Sequence, residues 1–99
     1  MRYGILLSSR AQHDLARLPI PVRRQAIKQL EVLGDWPSVL SHPSQFPYPA
    51  LCQAFQFDWE HEGRKWEICA LFKYSQDEKS IHIIMIGFSS FDPKDPAAE

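Results

Sequence analysis

Four histidines, His13, His42, His61 and His82, are the side chains here best suited to move protons near neutral pH. His82 lies in an apolar run and reads either as a packed or edge residue or as an acid or base. His61, between Glu60 and Glu62, reads as a solvated turn residue or as a proton carrier. Lys73, Arg64 and Lys65 carry cations that could hold an anion or simply face water. A second basic set is Arg17, Arg23, Arg24 and Lys28, of which Arg24 and Lys28 stand four apart and share a helix surface. Asp58, Glu60, Glu62 and Glu67 form an acidic group, but strand alternation yields no ligand spacing from them, so neither a metal nor a cofactor is expected. Cys52 and Cys69 read as free thiols rather than a disulfide.

The elements that must position these groups centre on residues 63–87, GRKWEICALFKYSQDEKSIHIIMIG. Two runs rich in β-branched and aromatic residues, 66–74 and 80–88, flank a charged connector short enough for a hairpin. Alternation puts Trp66, Ile68, Ala70, Phe72 and Tyr74 on one face of the first run and Glu67, Cys69, Leu71 and Lys73 on the other. In the second run, alternation groups Ile81, Ile83, Met85 and Gly87 against His82, Ile84, Ile86 and Phe88. Both faces are apolar, which predicts an interior strand.

Upstream, residues 3–7 read as a first strand buried on both faces. Ser9 with Gln12 fits a capping box that opens a helix ending at Pro19, with Ala11, Leu15 and Leu18 buried and Arg10, Gln12, His13, Asp14 and Arg17 outside. Pro21 suits the first turn of a second helix with Val22, Ala26, Leu30 and Leu33 inward, Arg23 among the residues facing water, and Gly34 closing it. The proline-rich stretch 37–50 predicts a loop, neither helix nor sheet. Residues 51–59 form the next strand, its aromatic face, Phe55, Phe57 and Trp59, meeting the helices. The order is strand, helix, helix and three strands, which predicts an α+β fold: an N-terminal strand, an antiparallel helix pair, then a three-stranded antiparallel meander, with the helices on one face of a mainly antiparallel sheet. Residues 1–91 are expected to form one domain and 92–99 a polar, flexible tail.

Ninety-nine residues, 44% of them hydrophobic, suffice for a single core. No leader or membrane-length apolar run is evident, which predicts a cytoplasmic location. The formal net charge of −1 argues against extensive phosphate contact, leaving room for a local patch.

The ordered set YGILLSSRAQHDLARLP, PVRRQAIKQLEVL, GRKWEICALFKY and SIHIIMIG resembles the RelE/ParE superfamily, toxins of type II toxin–antitoxin pairs, over about nine-tenths of the chain. The resemblance implies a small toxin neutralised by an antitoxin that wraps over it. RelE-like members commonly cut mRNA in the ribosome, whereas ParE-like members poison DNA gyrase, and fold alone does not choose between them. Metal-free RNA cleavage needs a base, a cation for the phosphate and an acid. This chain departs from the RelE pattern where those groups are supplied. Glu67 stands where an arginine is common, and Phe88 and Ser89 follow the last-strand glycine in place of a cation. Gln56 and Asp58 replace lysines, and Phe91 is the nearest aromatic to a missing terminal tyrosine. A carboxylate there repels phosphate instead of binding it.

The residues left to carry an altered cleavage chemistry are His82, Lys73, Glu67 and His61. Arg64, Lys65, Arg24 and Lys28 are the candidates for nucleic-acid binding. Leu71, Cys69, Phe88 and Phe91 are expected to form an apolar strip on the open sheet face, covered by the antitoxin. The alternatives to a ribosome-dependent interferase are a gyrase-directed toxin and an inactive, antitoxin-binding member.

Overall fold

The computed structural model describes residues 3–35, 37, 42–43 and 52–94. The elements run β1 (Gly4–Leu7), α1 (Ser9–Ala16), α2 (Ile20–Asp35), β2 (His42–Pro43), β3 (Gln53–His61), β4 (Arg64–Ser75) and β5 (Ser80–Phe91). The strands make one sheet in the order β1-β5-β4-β3-β2, antiparallel except where β1 lies parallel to β5. This is the expected α+β arrangement, with β5 interior and both helices on one face. Ala11, Leu15 and Leu18 of the first helical segment and Val22, Ala26, Leu30 and Leu33 of α2 pack on Phe55, Ile68, Ala70, Phe72, Ile81, Ile83 and Ile86 of the sheet. The helical and strand periods of the sequence meet there, each presenting its apolar stripe to the other.

Several expectations are corrected. His42 and Pro43, inside the stretch expected to be pure loop, pair with Ala54 and Gln53 as a two-residue edge strand, where a proline's missing N–H can face away from the ladder. Pro37, at the start of that stretch, is helical and buried; residues 38–41 and 44–50, and residues 95–99 of the expected tail, lie outside the described residues. β1 is an edge strand rather than doubly buried, and Leu6 is 53% exposed. The cap of α1 is Ser8, not Ser9: its Oγ accepts from the Ala11 N–H at 3.0 Å, while Gln12 reaches back to the Leu7 carbonyl. Gly34 lies within α2 instead of closing it. Its use is close approach, for a Cβ there would stand 3.1 Å from the Tyr3 carbonyl oxygen, and the Gly34 carbonyl accepts from the Tyr3 N–H.

Asp14, expected on the solvent side, is 1% exposed. Its Oδ2 accepts from the Ile86 N–H at 2.9 Å and its Oδ1 from Arg10 Nε at 3.0 Å. β1 ends at Leu7, so β5 loses its partner strand beyond Ile83, and its backbone is completed from α1 instead. The Ser8 N–H donates to Ile83, the Ser8 hydroxyl to Ile84, and Asp14 receives from Ile86.

The largest correction concerns β5 itself. Leu71 pairs with Met85 but Phe72 pairs with Ile83, which leaves Ile84 without a partner on β4. This β-bulge switches the faces of everything after it. Ile81, Ile83, Ile86, Phe88 and Ser90 therefore lie opposite the inward residues of β4, and His82, Met85, Gly87, Ser89 and Phe91 fall on the open face.

β3 and β4 meet in a two-residue turn, Glu62 at φ 52° and Gly63 at φ 79°. Both positions need the left-handed region, which glycine enters freely and glutamate at a cost. Glu62→Asn is expected to raise stability by about 0.5–1 kcal/mol, read as a higher urea midpoint at unchanged slope.

Candidate functional site

The open face is laid out in rows by the strand register. At one end, Leu6, His82 and Lys73 lie side by side on β1, β5 and β4. Next come Met85, Leu71 and Ala54, then Gly87, Cys69 and Gln56, then Ser89, Glu67 and Asp58, and finally Phe91, Lys65 and Glu60. A concavity of about 450 Å³ opens over the middle rows, lined by Gln56, Asp58, Glu67, Cys69, Gly87 and Ser89 with the edges of Ile68 and Phe88. Gly87 contributes no side chain there, and a Cβ built on it meets nothing within 4 Å.

The charge of this concavity is negative. Asp58 and Glu67 are direct cross-strand partners, and both are exposed. Lys65 Nζ lies 3.4 Å from Asp58 Oδ2, so the nearest ammonium is already engaged by a carboxylate. Burial pushes the Cys69 thiol up, opposed in part by a hydrogen bond with the Gln56 side chain; at neutral pH it is a thiol, not a nucleophilic thiolate. Facing like charges cost stability, so Glu67→Gln is expected to stabilise the fold by about 0.5 kcal/mol, more at low salt than at high. Urea midpoints at two ionic strengths check this.

Of the four candidate catalytic residues, only His82 and Lys73 are brought together. His82, 51% exposed in its side chain, faces Lys73 directly and lies 3.2 Å from Ser80 Oγ and 3.9 Å from Glu78 Oε2. Glu67 is six residues along β4 from Lys73, roughly 20 Å at strand rise. His61 is on the opposite face, at the far hairpin end, stacked on Trp59 with ring centroids 5.2 Å apart.

The candidate nucleic-acid set is also divided. Lys65 is on the open face, but Arg64 is on the helix face, its Nη2 bonded to the Ser90 carbonyl and hydroxyl at 3.2 and 3.1 Å. Arg24 and Lys28 are exposed on α2, on the side of the sheet away from the concavity. Arg23, expected to face water, caps α1 by donating to the carbonyls of Leu15, Ala16 and Leu18.

The expected apolar strip is likewise altered. Cys69 and Phe91 are half-buried on the open face as expected. Leu71 lies on that face too but is only 5% exposed, flanked in its row by Ala54 and Met85. Phe88 is on the other face: the bulge carries it inward, where it packs on the core beside Trp66, with the Arg17 guanidinium 5.4 Å from its ring centroid. Among the described residues no cluster of three or more His, Cys, Asp or Glu could hold a metal ion, and no helix is long and apolar enough to cross a membrane.

Sequence reasoning missed Asp14, although its place was legible: it stands three residues after Ala11 and four before Leu18, inside the buried stripe. It also missed the aromatic and arginine cluster around Phe88, because that cluster exists only once the bulge is known.

No family model matches the chain, and no curated protein matches it significantly. Solved structures do. A RelBE2 toxin–antitoxin complex from Mycobacterium tuberculosis superposes at a TM-score of 0.64 with 13% identity, over 90% of this chain and 100% of that one. The E. coli toxin RelE, as a mutant in the free state, gives 0.62 with 16% identity, over 88% of this chain and 83% of that one. The intact E. coli RelBE complex gives 0.59 with 16% identity, over 86% and 94%. The fold of this chain is thus that of the RelE toxins, at an identity too low to carry activity with it.

Proposed function

We propose that this chain is the toxin-like component of a type II toxin–antitoxin pair, that its partner is a protein antitoxin, and that it works in the cytoplasm. The concavity between β3, β4 and β5 serves that role by a route other than RelE-like RNA cleavage. One observation carries the second half of this reading: Asp58 and Glu67 face each other across the concavity, and the adjacent Lys65 is paired with Asp58. An RNA phosphate entering there meets two carboxylates, which raise rather than lower the energy of a dianionic transition state. The likeness to RelE, alone and in complex with its antitoxin, supports the first half.

Controlled induction of the chain alone in a bacterial host, with and without co-expression of the product of the adjoining gene, tests the reading. Growth arrest relieved by a protein that co-purifies with this chain supports it. Folded, well-expressed protein that neither arrests growth nor retains that product overturns it.

A second reading is favoured by the pairing of His82 with Lys73 on an exposed row. A proton carrier beside an ammonium supplies two of the three groups that metal-free RNA cleavage needs, displaced from the concavity to the β1 side of the face. RNA cuts that require ribosomes and vanish in both His82→Ala and Lys73→Ala would establish it. Inhibition of supercoiling without RNA cuts would point to gyrase instead.

A further inference from the structure

The helix-covered face of the sheet is longer than the helices that cover it. α1 closes over β5 at Ile83, Ile84 and Ile86, and its C-terminal end delivers Arg17 to Phe88. Beyond that point the same face presents Trp66, Trp59 and His61, half-buried, together with Ser90 and Arg64. Trp66 and Phe88 are in ring contact, and His61 stacks on Trp59. Arg17 rests on the ring of Phe88 while Arg64 is held by the carbonyl and hydroxyl of Ser90, two residues further along β5. Neither guanidinium is paired with a carboxylate among the described residues. Each is fixed in place by a ring or by backbone, with donors left over for another group.

We infer that this aromatic patch, framed by Arg17 and Arg64, is the docking surface for an acidic, apolar-containing peptide segment of a partner protein. Two anchored guanidiniums on the border of the patch offer charge-assisted donors to the carboxylates of a peptide, and the rings beside them take its apolar side chains. RNA fits less well. Two cations give a single strand a salt slope of only about −1.4, and a long polyanion leaving the patch meets Glu62 at the hairpin tip and Asp58 and Glu67 around the sheet edge. The inference deepens the partner-binding reading above, on which it rests, by placing the partner on the face opposite the acidic concavity.

Trp59 and Trp66 report occupancy directly, so intrinsic fluorescence of the full chain can be titrated with three probes. These are a short capped peptide of alternating Glu and Leu, the matching peptide of Lys and Leu, and a short oligouridylate. Saturable binding of the acidic peptide, weakened about fivefold by Arg17→Gln and by Arg64→Gln but unchanged by Asp58→Asn, is the expected result. Equal or tighter binding of the basic peptide or of the RNA, no saturable response to the acidic peptide, or indifference to both arginine variants would overturn the inference. Far-ultraviolet circular dichroism of each variant checks that the fold is intact. Because the titration uses peptides alone, its failure leaves the induction experiment free to succeed, and the reverse.

Discussion

Asp14→Ala is expected to remove about 3 kcal/mol of stability, a large share of the roughly 5–15 kcal/mol available to a domain of this size. The carboxylate is buried and joins two elements distant in sequence, accepting from the Ile86 N–H on β5 and from Arg10 one turn back on α1. Truncation leaves a buried backbone donor without an acceptor, with no strand alongside to supply one because β1 has already ended at Leu7. Asp14→Asn, which keeps an acceptor oxygen at lower charge, should cost about half as much. The ion pair with Arg10 is the lesser part, since Arg10 is largely exposed, and Arg10→Ala is expected to change stability by less than about 1 kcal/mol. Urea denaturation of the three variants tests the ranking. A loss for Asp14→Ala no larger than for Arg10→Ala would show that the bond to Ile86 carries little.

The second large effect is expected at Phe72. It is fully buried on the helix face of β4, opposite Gln53 on β3 and Ile83 on β5, immediately beside the bulge. Phe72→Ala should cost about 4 kcal/mol through lost burial and the cavity it leaves, lowering the thermal midpoint by roughly 15–30 °C. Phe72→Leu, which fills most of that volume, should cost less than half as much. Thermal unfolding followed by circular dichroism separates the two. If the leucine variant loses as much as the alanine one, the shape of the ring at the bulge matters more than its volume.

Much of this architecture was legible in the residues. The stripes Ala11, Leu15, Leu18 and Val22, Ala26, Leu30, Leu33 set both helices and their inward faces, and the alternation from Trp66 to Tyr74 set the inward face of β4. Asp14 was legible in position and misjudged by type: a carboxylate on a helix reads as solvated until a buried N–H is found waiting for it. The bulge was not legible, since IIMI, residues 83–86, is apolar at successive positions and fits either parity. From that one ambiguity follow the misplacement of Phe88 and the invisibility of the patch around Arg17 and Arg64. The acidity of the concavity was visible in the types of Asp58 and Glu67. The register that makes them face each other, and Lys65 pair with one of them, came only with the fold.

The parallel pairing of β1 with β5 sets the order in which this chain can be completed during synthesis. Ser8 and its partner Ile84 are 76 residues apart, so the first strand leaves the ribosome long before the strand it needs exists. At 5–20 residues per second that interval is roughly 4–15 s, during which β1 and the apolar stripes of both helices lack the completed sheet they pack on. The hairpins of β3, β4 and β5 form from neighbours, but the helix layer closes only when the last strand emerges. The sheet is therefore obliged to remain unfinished until β5 has emerged, and any protein that binds the completed sheet face meets this molecule only after that strand is in place.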